Sequence, residues 1–360
     1  MSPLISSCYF AADGPPPCLT PAARHCGERE NGGRRPRYIP AVSSPPPVAD
    51  GQHGGRRADA EQPPAGGSWQ SIDWREHQHW IDVDGTPINT IEIGPAGAHA
   101  GKPIAFVHGL SGSWPNWLEQ LPVFAREHRV IAVDLPGFGH SPMPADKLTI
   151  AGYARMLDRL LAQLQIDAAA VVGNSMGGFV AAELAIAFPQ RVERLVLVSA
   201  AGISTHQPRG STRAMPVLRR LERILIASSA WAASKSDTVA RRARLREATL
   251  NVVVRHPSRL PAALAAEQLR GAGKPGFIQG LEAVVDYEIR ERLREIACPT
   301  LIVWGERDRL IGVRDADVFA ELIENSRKVL FADTGHMAML ERPDEFNRLL
   351  AGFLAEQAYA

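Results

Sequence analysis

From Trp69 onward the chain alternates short apolar runs with longer amphipathic stretches. This rhythm restricts the fold more than any other feature of the sequence. The runs lie at 104–107, 130–133, 168–172, 195–198, 301–304 and 329–331. Helical patterns separate most of them, such as Leu157, Leu160, Leu161 and Leu164 on one face. Buried runs this short, alternating with helices, predict an α/β fold with a mostly parallel, doubly wound sheet covered on both faces. Two earlier segments, 77–83 and 88–93, are joined by Asp84-Gly85. That dipeptide is a strong hairpin signal, so an antiparallel pair is expected to enter the sheet first.

The rhythm is missing in two places. Residues 1–67 hold 12 of the 28 prolines and 9 of the 31 glycines. Such a bias, without a period, belongs to sequence that buries too little apolar surface to offset backbone ordering, and a disordered leader is expected. The segment has no charged start followed by an apolar stretch, unlike a secretory signal. Cys8, Cys18 and Cys26 fall in it at no metal-ligand spacing, which leaves Cys298 alone in the body and argues against a disulfide scaffold. Residues 68–360 are expected to form one catalytic-sized domain. Within it, 206–285 lacks a buried-strand pattern and carries 14 Lys plus Arg against 5 Asp plus Glu. Pro216 can open a helix there, with Val217, Leu218, Leu221, Ile224 and Leu225 on one face. This stretch reads as a helical cap inserted into the sheet domain. Over the whole chain Lys plus Arg is 40 against 39 Asp plus Glu. That balance is unlike the basic excess of a dedicated nucleic-acid binder, and no nucleic-acid partner is expected. No apolar run reaches the length of a membrane-spanning helix.

The run at 168–172 leads directly into Gly173-Asn174-Ser175-Met176-Gly177-Gly178, and a helical pattern follows over 179–188. A strand that turns abruptly into a helix forces its middle residue into a strained conformation with neighbours close on both sides. Gly173 and Gly177 remove the side chains that would clash there. Ser175 is then held at the carboxyl end of the sheet as a candidate nucleophile. The same turn puts the Met176 N–H at a helix N-terminus, where it favours negative charge. A phosphate-binding loop is the competing reading, but the glycine spacing is wrong and its lysine is missing.

A serine hydroxyl needs a base, and the base an orienting carboxylate. His336, in Asp333-Thr334-Gly335-His336, follows the last apolar run. Asp308, in Gly305-Glu306-Arg307-Asp308, follows the run before it. Both therefore fall at the edge of an open α/β sheet where ligands gather. Each has a plainer rival role: Asp308 can pair with Arg307 or Arg309, Glu306 is a substitute carboxylate, and Asp333 can cap a turn. The order Ser175, Asp308, His336 is what favours the triad.

Acyl transfer also needs backbone donors aimed at the developing oxyanion. The run at 104–107 ends in His108-Gly109-Leu110-Ser111-Gly112-Ser113. The Leu110 N–H is the expected partner of the Met176 N–H, with Ser111 as the alternative. His108 and Gly109, like Gly173 and Gly177, are expected to support loops. Residues 134–141 read as a rigid supporting loop with no chemical role for His140.

His108-Gly109, residues 134–141, Gly173 to Gly178, Asp308 and Gly335-His336 together resemble the α/β-hydrolase superfamily with a helical cap. The resemblance spans residues 69–360. It implies a serine hydrolase that needs no metal or organic cofactor and acts on a small-molecule ester or related acyl compound. Serine at 175 sets the chain apart from the similar haloalkane dehalogenases and epoxide hydrolases, which use aspartate there. The elbow is also similar to that of carbon–carbon bond hydrolases of ring-cleavage products. Those enzymes carry Gly-Pro-Gly where this chain has Ser111-Gly112-Ser113, and an aromatic residue where it has Met337. A carboxylesterase or lipase-like activity is therefore the first expectation, the carbon–carbon hydrolase the second, and a cofactor-free haloperoxidase or perhydrolase shares the same triad. A hydrolase fold acting as a ligand receptor is the non-enzymatic alternative. The expected location is cytoplasmic, with peripheral contact to anionic lipid through the basic cap as one reading and a solvated cap surface as the other.

Overall fold

Asp84 and Gly85 both take positive φ, 53° and 80°. This is what a two-residue hairpin turn requires if its twist is to match that of its strands. They join β1 (Gln78–Val83) and β2 (Thr86–Ile93), which pair antiparallel with Val83 opposite Thr86. The computed structural model describes residues 68–95, 101–205 and 233–356. The expected leader, with Cys8, Cys18 and Cys26, and the helix expected from Pro216 lie outside the described residues.

β2 pairs antiparallel with β4 (His128–Val133). The remaining pairings are all parallel: β3 (Gly101–Val107) with β4 and with β5 (Ala169–Asn174), and then β6 (Val192–Val198), β7 (Thr300–Gly305) and β8 (Ser326–Phe331) in turn. The eight strands lie in the order β1-β2-β4-β3-β5-β6-β7-β8. Every apolar run singled out above is one of these strands. β5 and β7 are buried at every position, which is why their sequences show no polar alternation.

Successive strand residues face opposite layers. Ala105, Val107, Val171, Leu195, Leu197, Ile302 and Trp304 point into one core, with α2 (Ile150–Gln163), α3 (Met176–Ala187) and α8 (Arg314–Leu322). Ile104, Phe106, Val172, Val196, Val198, Leu301 and Val303 point into the other, with α1 (Leu121–Phe124) and α10 (Pro343–Ala355). Each fully buried Leu, Val or Phe contributes about 1.5–3 kcal/mol, so the two layers rather than helix propensity hold the helices in place. α2 shows the local logic. Thr149 Oγ1 caps it by accepting the Gly152 N–H, and Leu157, Leu160 and Leu161 form its buried face.

Between β6 and β7 the described residues form α4 (Ser236–Arg241), α5 (Ala243–Leu250), α6 (Ala262–Arg270) and α7 (Phe277–Asp286), with no strand among them. A short helix, α9 (Ala338–Glu341), follows β8. Among the described residues no helix is long and apolar enough to cross a membrane.

One boundary departs from expectation. The helix after Ser175 starts at Met176, not at Phe179. Gly177 and Gly178 read in sequence as helix breakers. In the fold their bare Cα atoms are what lets the first turn press against its surroundings: a Cβ on Gly177 would lie 2.2 Å from Val107 O.

Candidate active site

The strand order reverses between β3 and β5, because the chain passes from β3 outward to β4 and returns to the other side of β3. At such a switch point the loops leaving the strands diverge and open a crevice. The loops after β3 and β5 carry Gly109-Leu110 and Ser175. They meet closely enough that a Cβ on Gly109 would stand 2.9 Å from Ser175 Cβ.

Ser175 has φ 55° and ψ −120°. For a residue with a side chain this costs about 1–3 kcal/mol. Three backbone hydrogen bonds hold it: its N–H donates to Val198 O at 3.0 Å, and its carbonyl accepts from Phe179 and Ala201, each at 3.1 Å. A Cβ on Gly173 would lie 2.3 Å from Gly177 O, so both glycines of the elbow are needed for its tightness. Ser175 keeps 8% of its surface exposed. Its neighbour Met176 is fully buried and opens α3, so the Met176 N–H is among the first-turn donors that no helix carbonyl satisfies.

Asp308 and His336 come together across the ends of β7 and β8. His336 Nδ1 lies 2.8 Å from Asp308 Oδ2, with the aspartate side chain wholly buried and the imidazole 3% exposed. Asp308 Oδ1 accepts the N–H groups of Leu310 and Ile311 at 2.8 and 3.0 Å. The carboxylate is thus fully engaged as an acceptor, which assigns the proton between the pair to His336 Nδ1. His336 Nε2 is then left with a bare lone pair. It is buried and, among the described residues, has no hydrogen-bond partner, Ser175 Oγ included. A close approach of backbones makes this pairing possible, since a Cβ on Gly305 would sit 2.0 Å from Gly335 O. Neither Arg307 nor Arg309 takes Asp308, and Glu306 is exposed. Asp333 has φ 47° and, rather than capping a turn, meets His256 Nε2 at 2.7 Å and Arg255 Nε at 3.3 Å.

The β3 loop is fixed from beneath. His108 is fully buried, and burial holds its pKa below the ordinary histidine value. Its Nε2 accepts the Leu135 N–H at 3.0 Å, so its Nδ1 carries the proton and donates to Gly109 O at 2.7 Å. With both nitrogens engaged, His108 has none free to act as a base. Asp134, at the end of β4, accepts from Trp114 N and Asn89 Nδ2, both at 2.7 Å, and from His140 N at 2.8 Å. Burial alone would raise the pKa of Asp134, but the hydrogen bonds and the nearby His140 and His108 outweigh it and hold the carboxyl below its usual range. In sequence, residues 134–141 read only as a rigid loop; in the fold Asp134 is the acceptor that ties the β2, β3 and β4 ends together. No spacing signal marked it.

Leu110 and Met176, the expected oxyanion donors, share a neighbour. A Cβ on Gly280 in α7 would stand 2.9 Å from Leu110 Cδ1 and 3.5 Å from Met176 Sδ. Ser111 takes φ 61°. Among the described residues no group of three or more His, Cys, Asp or Glu is placed to hold a metal ion.

A mostly parallel sheet thus holds a strained serine at its switch point and a buried Asp–His pair at neighbouring strand ends. The α/β-hydrolase fold family profile matches residues 102–343, and the chain belongs to that family. It is 31% identical over 278 residues to a dihydrolipoyllysine-residue acetyltransferase component of an acetoin cleaving system from Cupriavidus necator, covering 75% of this chain and 67% of that protein. It is likewise 31% identical to a 2-hydroxymuconate semialdehyde hydrolase from a Pseudomonas species, over 71% of this chain and 88% of the relative. Among solved structures, an N-acyl homoserine lactone degrading enzyme matches with a TM-score of 0.60 and 26% identity, over 76% of this chain and 100% of the other.

Proposed function

We propose that the chain is a serine hydrolase in which Ser175 attacks an acyl carbonyl, His336 is the base and Asp308 orients it. The observation that carries this reading is the geometry of the pair: Nδ1 lies 2.8 Å from the buried Asp308 carboxylate while Nε2 is buried and has no partner among the described residues. With the carboxylate accepting from Nδ1–H, Nε2 presents its lone pair as the base. A buried acceptor without a partner is costly, and a serine hydroxyl oriented by bound substrate relieves that cost. Catalytic hydrogen bonds are often absent or long before substrate binds.

In the forward step Ser175 Oγ bonds to the carbonyl carbon of an ester as its proton passes to His336 Nε2. The Leu110 and Met176 N–H groups stabilise the oxyanion, each donor worth about 2.7–4 kcal/mol where one has been removed from such a hole. His336 then gives the proton to the leaving alcohol. Water attacks the acyl-enzyme with His336 again as base, releasing the acid and regenerating Ser175. His108, Gly109, Gly173 and Gly177 serve by fixing the loops.

Carboxylic esters are the first substrate class, because the β3 loop carries Ser111-Gly112-Ser113 and Met337 follows the base. A second reading, cleavage of a carbon–carbon bond in a ring-cleavage product, is favoured by the likeness to the 2-hydroxymuconate semialdehyde hydrolase. The test is kcat/KM for a p-nitrophenyl ester chain-length series beside 2-hydroxymuconate semialdehyde. Higher values for an ester support the first reading, and the reverse order transfers the assignment to the second. Turnover of neither overturns both.

A further inference from the structure

His336 lies in a loop that the cap segment 253–256 follows residue by residue. Asp333 pairs with Arg255 and His256, and the Met337 N–H donates to Val253 O at 3.2 Å. Between these two contacts stands Glu341, the last residue of α9. Its Oε1 accepts the Gly335 N–H at 2.9 Å, and its Oε2 accepts the Arg255 N–H at 2.8 Å. One carboxylate thus bonds the residue immediately before His336 and the cap at the same time. The fit is close, because a Cβ on Gly335 would lie 2.8 Å from both Arg255 N and Glu341 Oε1.

Beside this join the seam opens into a cavity of about 310 Å³ lined by His256, Arg259, Leu264, Glu341 and Arg342 among others. The two Glu341 bonds tie the loop to the cap at this point. Burial pushes the Glu341 pKa up, opposed by the two backbone N–H bonds and by His256. A carboxylate kept in so unfavourable a place, away from the reacting atoms, calls for a reason beyond filling space.

We propose that Glu341 is a positioning residue: by accepting one N–H from the His336 loop and one from the cap, it sets the imidazole's orientation and links it to the cap's placement. The inference rests on the assignment of Ser175, His336 and Asp308 above. Glu341 touches no reacting atom. It acts by fixing Gly335, whose backbone direction determines where the His336 ring is launched toward Asp308 and Ser175.

The test compares Glu341→Gln and Glu341→Asp with the wild-type chain. Glutamine offers one acceptor oxygen and places an NH2 against the other backbone donor, so one of the two bonds is lost. Aspartate keeps the charge but is one methylene too short to span both donors. A displacement of about 1 Å at a catalytic group costs about 100-fold in rate, and a tenth to all of that loss is expected in the glutamine variant. The loss appears in kcat for the best ester and in the rate of fluorophosphonate labelling of Ser175, while KM changes little. The low-field NMR resonance of the proton between His336 Nδ1 and Asp308 Oδ2 shifts or broadens. The aspartate variant is expected to be intermediate in both readouts, and it carries the test if the glutamine variant fails to fold. Labelling rates equal to wild type, with the resonance unmoved, overturn the proposal and leave Glu341 a purely structural residue. A wild-type chain that takes no label at all overturns the triad assignment instead.

Discussion

Replacing Asp308 with asparagine separates charge from shape at the centre of the site. The isosteric amide has one acceptor and one donor end, and two environments compete for the oxygen. On one side stand the N–H groups of Leu310 and Ile311, on the other His336 Nδ1. Keeping the oxygen on the loop preserves two hydrogen bonds, while turning it toward His336 preserves one and opposes two donors to an NH2. At about 1 kcal/mol net per bond, with a further penalty for each buried donor left unmet, the first orientation wins. The NH2 then faces Nδ1 and forces it to become the acceptor, which moves the imidazole proton to Nε2. A protonated Nε2 cannot take the serine proton. The corresponding tautomer change in a serine protease lowers kcat about 10⁴-fold, or about 5 kcal/mol of barrier, and a similar loss is expected here. Exposed Glu306 offers no substitute. The assay is the second-order rate of fluorophosphonate labelling, with thermal unfolding as control. Folding is expected to be nearly unchanged, since the two loop bonds survive. A loss in labelling rate below about 10-fold, far short of the tautomer effect, refutes the reasoning, as does a large fall in Tm that explains the rate by unfolding.

Two further outcomes concern the loops that carry the site. Gly177→Ala places a Cβ 2.2 Å from Val107 O and 2.4 Å from His108 O; overpacking against backbone costs about 1–3 kcal/mol or more, and a chemical denaturation midpoint equal to wild type contradicts the tight elbow. Asp134→Ala strips three donors of their acceptor, and at about 1–3 kcal/mol for each donor left buried and unmet a loss of several kcal/mol is expected, read by the same denaturation. Because the folded-state pKa of Asp134 is depressed, its contribution is present above the ordinary carboxylate range and is lost as pH falls through the folded value. The wild-type and Asp134→Ala stabilities should therefore converge in acid, and a constant difference at every pH contradicts the assignment.

Sequence legibility followed the range of the interaction. The inner strands β5 and β7 are legible because two-sided burial leaves a continuous apolar run, the edge strand β8 only through its short apolar end 329–331, and the β1–β2 turn because Asp84-Gly85 suits positive φ. Ser175, Asp308 and His336 are legible as candidates because each sits at a strand end, where topology alone brings them to one edge. Asp134 and Glu341 are not. Both accept N–H groups from segments distant in sequence, and such bonds leave no residue pattern: the Trp114 backbone and the Asn89 side-chain amide meet Asp134, and the Arg255 backbone meets Glu341, only after the sheet and the helices above it are in place. The early start of α3 was hidden for a related reason. Gly177 and Gly178 weaken a helix in isolation, yet the space they leave is what the elbow requires.

The assignment of Ser175 as nucleophile is tested most directly by reacting the purified full chain with a fluorophosphonate and locating the adduct by peptide mass spectrometry. Covalent modification at Ser175, abolished in a folded Ser175→Ala variant together with ester turnover, is the expected result. Modification at another residue, or substantial turnover by Ser175→Ala, contradicts it.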